Sequence, residues 1–412
     1  MNIPRRASRS DLSVAVGTAV TVLALCLGLL SPGAARADYT TVWDSGPTTN
    51  RVDITLLGDG YTAAQLGTTY ADHVDALVSH MFFAGQDPFP RYRNYFNVHR
   101  VDVASNQSGA DIPHFLIFRD TALNGTYNYL GIAPRLLYIN PALADAVIDS
   151  EITQSAAPFV PDIKLVPIND IYLGGAPFDY VTYSAANALG PELALRAIAR
   201  TFAGLGSEST WTNDPYLGPE PLAPNLTLSP GGEKWAHWLG YNQPGIGVIG
   251  AYEGGASFET GIYRPSEDSK LRSLGMPFDA VSREQIILSI YDLVDPLDDW
   301  LPTGGVLGSD TELWVDPIDS DVIQVEWYVD NVLIPGASGE TFTLDDWGFG
   351  PGTYEVTARA FDDTEWVLID LDKLSQSVTW SVHVIPEPAT LGLFCWGAAL
   401  LGIAIRRRRA QR

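Results

Sequence analysis

Histidine and cysteine, the side chains that most often bind metals or act as nucleophiles, are few and scattered in this sequence. None of the six histidines stands four residues from another, so no single helix face offers a histidine pair to a metal ion. Both cysteines, Cys26 and Cys395, lie near the chain ends, which leaves no thiolate ligand or disulfide between residues 38 and 385. No G-x-S-x-G motif occurs, and Ser207 has no evident histidine partner.

Two arginines four residues apart are the most suggestive charged pair. A proline in the first turn and apolar residues at 195, 198, 202 and 205 predict a helix that carries Arg196 and Arg200 on one face. A guanidinium stays protonated and only donates hydrogen bonds, so it binds anions and does not ligate zinc. Either the arginines are solvated or paired surface residues, with Glu192 four residues before Arg196, or they clamp an anion such as a peptide C-terminus.

The charge balance excludes polyanionic partners. The two chain ends carry nine arginines and two acidic residues, so the 25 basic and 49 acidic residues of the whole chain become 16 and 47 between residues 38 and 385. The resulting net charge of −31 repels nucleic acid and anionic lipid, and some of the acidic side chains could hold calcium. The length favours two domains.

Residues 1–37 have the three parts of a secretory signal peptide. Three arginines within the first nine residues are followed by an apolar segment from Leu12 to Leu30. Ala35-Arg36-Ala37 then supplies the small-x-small pattern for signal peptidase, with cleavage before Asp38. The sequence therefore predicts export; an uncleaved N-terminal membrane anchor is the alternative.

Residues 386–412 have the composition of a membrane-sorting segment. An apolar run from Ala389 to Ile405 has the length of a membrane helix and precedes the basic cluster Arg406–Arg409. Immediately before the run stand Pro386, Glu387 and Pro388. This arrangement resembles the PEP-CTERM sorting signal of exopolysaccharide-producing Gram-negative bacteria. The resemblance implies cleavage by an exosortase and transient anchoring in the inner membrane. The expected final place is the periplasm, the outer surface or the extracellular matrix.

Residues 38–305 alternate strand-like and helix-like segments, which predicts an α/β domain. Val52, Ile54 and Leu56 alternate with polar neighbours, as in a half-buried strand. Capping boxes formed by Thr62 with Gln65 and by Ser282 with Gln285 predict two helix starts. Further strands are predicted at residues 96–103, 136–139 and 164–168.

From residue 306 to residue 385 the pattern becomes purely β. Ile323, Val325, Trp327 and Val329 alternate with polar residues, and a turn at 330–331 follows. Further strands are predicted at residues 340–344, 353–361 and 378–384. Short alternating strands between Gly, Pro and Asp turns predict a small Ig-like β-sandwich.

Several segments, in order, resemble the IgA-peptidase-type zinc metallopeptidase family. The matching runs are Leu56–Thr62, Pro88–Arg93, Phe96–Val103, Ser105–Gly109, Asp120–Leu123, Lys234–Trp238 and Gly261–Gly275. The resemblance implies a zincin-like fold, in which an active-site helix lies beneath a mixed sheet, and it implies zinc as cofactor.

The helix that corresponds to the family's active-site helix departs from the family motif H-E-x-x-H. Arg196 and Arg200 stand at the two histidine positions, and Ala197 at the position of the general base. Ser207 stands where the family has an acidic residue, followed by Glu208. No catalytic set is therefore intact, and neither zinc nor another cofactor is expected.

Other candidate binding residues are Glu253, Tyr263 and Arg264, which the resemblance places near the family's cleft. Glu208 joins them as a retained acidic side chain. His237, between two tryptophans, is interpreted as a packed core histidine.

Three functions follow from these observations. The leading hypothesis is a catalytically inactive pseudopeptidase that binds a peptide or matrix component at the cell surface. The alternatives are an active zinc endopeptidase with rearranged ligands and a structural matrix protein without a discrete site.

Overall fold

The computed structural model describes residues 38–385 of the chain. The predicted signal peptide and sorting segment, residues 1–37 and 386–412, lie outside the described residues. Within residues 38–385 no helix has the length and apolarity needed to cross a membrane. The described part mixes α-helices with five β-sheets, which confirms the α/β prediction.

A six-stranded mixed sheet organises the first half of the described chain. Its spatial order is β1-β3-β2-β4-β6-β5, with parallel inner pairs and antiparallel edge strands. The prediction of a half-buried strand at residues 52–56 is wrong in one respect, because every residue of β2 is buried. Both faces of the sheet are covered, and Asp53 on β2 accepts hydrogen bonds from Asn97 and His99. The strands are β1 Asp38–Trp43, β2 Val52–Leu57, β3 Phe96–Asp102, β4 Ile163–Ile168, β5 Gly175–Pro177 and β6 Tyr180–Ser184.

The strand predicted at residues 136–139 does not form. Tyr138 makes only an isolated bridge to Thr126. Leu137 and Ile139 are buried, which explains their alternation, but the carbonyl of Leu137 accepts from the Thr182 side chain. The edge of the sheet is formed instead by β5.

Five helices pack around this sheet. The capping box of Thr62 and Gln65 is present, and it opens a helical stretch that continues through a π-helical segment at Leu66–Tyr70. The second predicted capping box is wrong: Asp279, three residues earlier than Ser282, is the N-cap and accepts from the backbone N–H of Ser282. The helices are α1 Ala63–Gln65, α2 Ala71–Phe83, α3 Pro141–Ile148, α4 Gly190–Phe202 and α5 Ala280–Tyr291.

Small sheets follow α4. One sheet has the order β10-β11-β7, in which β11 is antiparallel to β10 and parallel to β7. The other is a short hairpin of β8 and β9. The strands are β7 Thr210–Pro215, β8 Asn242–Gln243, β9 Gly247–Val248, β10 Tyr252–Gly255 and β11 Ser257–Arg264.

The C-terminal part contains a three-stranded sheet, β12-β14-β17, and a five-stranded sheet, β13-β19-β18-β15-β16. In β15 the predicted alternation is present, with Ile323, Val325, Trp327 and Val329 buried. The strand predicted at 340–344 is limited to two residues, and a 3-10 helix follows it. The strands are β12 Leu297–Trp300, β13 Val306–Gly308, β14 Leu313–Pro317, β15 Ile323–Val329, β16 Val332–Ser338, β17 Thr341–Phe342, β18 Gly352–Asp362 and β19 Ser375–Val384.

Buried contacts connect the C-terminal sheets with the preceding part. One hydrophobic cluster runs without a break from the six-stranded sheet, through α5, to Trp327 and Trp380. Asp362 on β18 is buried and accepts hydrogen bonds from Arg91, Tyr92 and Tyr291 at 2.7, 2.6 and 3.1 Å. The domain boundary near residue 305 stays a prediction.

Candidate functional site

Helix α4 carries the two arginines at the wall of a cleft. Pro191 lies in its first turn, and the buried side chains of Leu195 and Ile198 hold the helix in the core. Arg196 and Arg200 are separated by one helical turn and therefore project on the same side. The sequence thus predicted both the helix and the common orientation of the arginines.

The cleft has a volume of about 380 Å³ and is lined largely by apolar groups. Its walls come from α4, from the edge strand β5 and the residues before it, and from segments after α4. No aspartate, glutamate or histidine lines it. The lining residues are Arg135, Leu173, Gly174, Gly175, Ala176, Pro177, Leu193, Arg196, Ala197, Arg200, Ser207, Trp211, Ser257 and Leu274.

Arg196 is held by hydroxyl groups. Its Nη2 donates to Ser209 Oγ at 2.6 Å, and Ser209 in turn donates to the carbonyl of Arg272. Ser207 Oγ lies at 3.5 Å from the same nitrogen, the limit of a hydrogen bond. Burial lowers the pKa of Arg196, and the charge of Glu208 opposes this shift. The guanidinium is therefore positioned by neutral groups.

Arg200 makes no hydrogen bond or ion pair with the described residues. Its Nε is buried without a partner. Burial, and secondly the positive charge of Arg196, lower the pKa of Arg200. Arg200 as a whole is only half-buried, and it lines the cleft, so the guanidinium has donors that could bind an anion there.

The predicted pair of Glu192 with Arg196 does not form. Glu192 binds Lys270, and its Oε1 lies 3.0 Å from His80 Nε2. Burial alone would raise the pKa of Glu192, but the hydrogen bond and charge of Lys270 outweigh it and lower the pKa. The reason is that Lys270 is itself almost fully buried and needs a carboxylate, whereas Arg196 faces the cleft.

Glu208 points away from the cleft into a buried polar cluster. Its oxygens accept from Asn225 Nδ2 at 2.9 Å and Ser269 Oγ at 2.6 Å. Burial, followed by the charge of Asp279, raises the pKa of Glu208 to about 8. Burial also raises the pKa of Asp279. The raised pKa of Glu208 reduces the negative charge that it offers Arg196 near neutral pH.

The other predicted binding residues lie outside the cleft lining. Arg264 is buried and donates to the carbonyls of Glu253, Gly254 and Glu267, which is a structural role. The carboxylate of Glu253 accepts from the N–H of Gly261, and Tyr263 pairs through its backbone with Thr227. The structure therefore brings Arg196, Ala197, Arg200 and Ser207 together and leaves out Glu208, Glu253, Tyr263 and Arg264.

His237 is not a core histidine. It lies at the surface, and its Nε2 is 2.6 Å from Glu284 Oε2. The two neighbouring tryptophans are buried, but the irregular 3-10 turn Glu233–Trp238 rotates His237 away from them. The prediction that His237 is buried, which rested on its position between two tryptophans, is therefore wrong.

Sequence reasoning missed several residues of the cleft. Trp211 is 79% exposed and lines it, together with Leu274 and Arg135. These residues lie on three separate segments, and none belongs to a motif. The exposure of Trp211 is visible only in the structure, so no signal in the sequence pointed to these residues.

The donor set does not fit a zinc ion. Among residues 38–385 no three His, Cys, Asp or Glu side chains converge on a point where a metal could bind. At the cleft, α4 offers two guanidiniums and a methyl group, none of which can donate a lone pair to a metal.

A family model described as IgA Peptidase M64 matches residues 40–246, half of the chain. This range includes α4 and the six-stranded sheet except the first two residues of β1. Ser257 and Leu274 of the cleft lie beyond it. No curated protein matches the chain.

Proposed function

Because the chain belongs to the IgA peptidase M64 family, we propose that it is a pseudopeptidase, a metallopeptidase-like domain that binds a ligand without hydrolysing it. The observation that carries this proposal is the set of side chains that α4 presents to the cleft. In the family resemblance described above, Arg196 and Arg200 correspond to the family's histidine ligands, and Ala197 to its glutamate.

The chemistry of these three residues supports the loss of hydrolysis. A zinc peptidase needs two imidazoles to hold the metal and a carboxylate to take a proton from the bound water. Arginine only donates hydrogen bonds, and alanine has no group that accepts a proton. In this proposal the mixed sheet with α4 is a zincin-like fold, and the C-terminal sheets form an Ig-like sandwich.

The proposed place of action is the cell surface of a Gram-negative bacterium. The basic, apolar and small-x-small parts of residues 1–37 support export and cleavage by signal peptidase. Pro386, Glu387 and Pro388, with the apolar and basic residues after them, support processing by an exosortase. A binding domain released or displayed at this place would meet peptides and matrix components.

The alternative function is an active zinc endopeptidase with rearranged metal ligands. Membership of a peptidase family favours this alternative.

The metal content of the purified protein distinguishes the pseudopeptidase from the active endopeptidase. The purified protein is exposed to excess zinc, desalted and measured by plasma mass spectrometry, and the same sample is tested for peptide cleavage with and without a chelator. We expect less than about 0.1 zinc per chain and no cleavage.

A positive control comes from the same helix. The triple variant Arg196→His, Ala197→Glu, Arg200→His restores H-E-x-x-H and is expected to take up more zinc than the parent. About one zinc per parent chain, with cleavage that a chelator abolishes, would establish the alternative and rule out the pseudopeptidase.

A further inference from the structure

We propose that the cleft of α4 binds the C-terminal carboxylate of a peptide whose last side chain is apolar or aromatic. This assignment rests on the proposed function and names the ligand class of that site. It draws on the charges in the cleft, their place on the helix, and the nature of the walls.

The cleft holds positive charge that the protein does not neutralise. Arg200 has no partner among the described residues, and Arg196 is bound only by hydroxyl and carbonyl oxygens. Arg135, exposed at the same cleft, adds a third guanidinium. The whole chain has a net charge of −24, whereas this cleft is lined by three arginines and by no acidic residue. The charge of the cleft is therefore opposite to that of the chain. An anion is the partner that this arrangement lacks.

Acidic groups do lie beyond Arg200, on its other side. There a second depression is lined by Asp162, Lys164 and Asp179. Asp179 is engaged by Lys164 at 2.5 Å, and Asp162 accepts from the backbone N–H of Asp53. Arg200 lines both depressions, so its guanidinium can also be reached from the cleft.

The position of the arginines on α4 disfavours a multiply charged anion such as phosphate more than a singly charged one. Arg200 lies in the last turn of the helix, where the macrodipole is negative. Phosphate sites usually use the opposite end of a helix, whose free N–H groups point at the ligand. A carboxylate carries one charge and matches the planar guanidinium with two parallel hydrogen bonds.

The walls of the cleft indicate what the carboxylate is attached to. The cleft has apolar walls formed by Leu193, Leu274 and Pro177. Trp211 also lines the cleft, and 79% of its surface is exposed. A large exposed tryptophan beside an apolar cleft is a common binding surface for apolar groups. The volume of about 380 Å³ is near the lower end of ligand pockets, so it suits one or two residues rather than a long peptide.

The test compares four probes on the purified zinc-free protein by calorimetry: three are described first, and acetate is the fourth. The first is the acetylated tripeptide alanyl-alanyl-phenylalanine with a free C-terminal carboxylate, the second its C-terminal amide, and the third inorganic phosphate. We expect the acid to bind at least about 10-fold more tightly than the amide and than phosphate, because the amide cannot form charge-assisted bonds with the arginines. Acetate, which has the charge without the side chain, is expected to bind at least about 10-fold more weakly.

Variants locate the binding. Arg200→Met is expected to weaken binding of the acid at least about 10-fold, whereas Arg359→Gln, on the exposed face of β18, leaves it unchanged. If Arg200→Met fails to fold by near-ultraviolet circular dichroism, the comparison of acid with amide on the parent protein decides alone. Equal affinities for acid and amide, or no binding of the acid by the folded parent, would overturn the assignment; so would tighter binding of phosphate or acetate.

Failure of this assignment differs from failure of the proposed function. A folded, zinc-free protein that does not bind the acid refutes only the ligand. Stoichiometric zinc with chelator-sensitive cleavage refutes the pseudopeptidase itself, whatever the probes do.

Discussion

Replacing Asp362 with alanine is expected to destabilise the protein strongly. This carboxylate lies on β18 but serves groups from the first part of the chain. Its side chain is fully buried, and it accepts from Arg91 Nη2, Tyr92 Oη and Tyr291 Oη within 3.1 Å. It also accepts from the N–H of Thr364. Alanine would leave all four donors without this partner.

The magnitude follows from the burial of those donors. The hydroxyl of Tyr92, left unsatisfied in the interior, costs about 1–3 kcal/mol. The hydroxyl of Tyr291 keeps its hydrogen bond with Tyr95 Oη at 3.1 Å, so its loss is only about 1 kcal/mol. Arg91 is 30% exposed and can rehydrate, so its lost ion pair adds only about 1 kcal/mol. Together these terms reduce the free energy of unfolding by about 3–5 kcal/mol. For roughly 350 folded residues this lowers Tm by roughly 4–7 °C.

Chemical denaturation and thermal melting of three proteins check this reasoning. Asp363→Ala is the matched control, because Asp363 is the exposed neighbour and is contacted only by Gln324. Asp362→Asn keeps an acceptor oxygen and is expected to lose about half as much stability as Asp362→Ala. A change of less than about 1 kcal/mol in Asp362→Ala, or an equal change in Asp363→Ala, would show that the buried carboxylate does not connect the two parts as described.

Three further predictions concern the cleft and its surroundings. The raised pKa of Glu208 means that the folded protein keeps a proton that the unfolded chain releases, so stability is expected to fall as pH rises from about 4.5 to about 8. Glu208→Gln should flatten this dependence in pH-resolved denaturation, and an unchanged slope would exclude Glu208 as its source. Arg196→Met should lower the free energy of unfolding by about 1 kcal/mol because Ser209 loses a partner, whereas Arg200→Met, which breaks no hydrogen bond among the described residues, should change it by less; an equal loss in both variants would contradict the difference in their bonding. Trp211→Ala should weaken binding of the tripeptide acid several-fold with Tm unchanged, since the ring is mostly exposed; unaltered affinity in calorimetry would place the ligand away from the mouth of the cleft.

Patterns in the sequence predicted helices and strands correctly where residues within a few positions of each other determine the structure. The alternation in β15 and the capping box at Thr62 depend on residues within a few positions, and both are present. The second helix start was displaced to Asp279 because a better acceptor lies three residues upstream of Ser282. The buried β2 could not be recognised as such, since Asp53 and Thr55 are polar residues typical of a surface, and the partners of Asp53 lie 44 and 46 positions away.

The candidate site was predictable in part. The helix, the two arginines and Ser207 follow from spacing and from the family resemblance. The partner of Glu192 was not predictable, because Lys270 lies 78 positions away and outweighs a local pairing with Arg196. Trp211, Arg135 and Leu274 meet only through the tertiary fold, so no pattern in the sequence connects them.

The contacts across residue 305 imply that the chain would survive a cut in its backbone as a complex of two fragments. Residues 302–305 are exposed, as a protease requires, yet strands on either side of them are paired, β12 with β14. The indole of Trp380 also donates to the carbonyl of Leu301, 2.8 Å away. A nicked protein would therefore elute from gel filtration at the position of the intact one and separate into two pieces only in denaturant. The C-terminal sheets are therefore expected to stay bound to the preceding part after the backbone between them is cut.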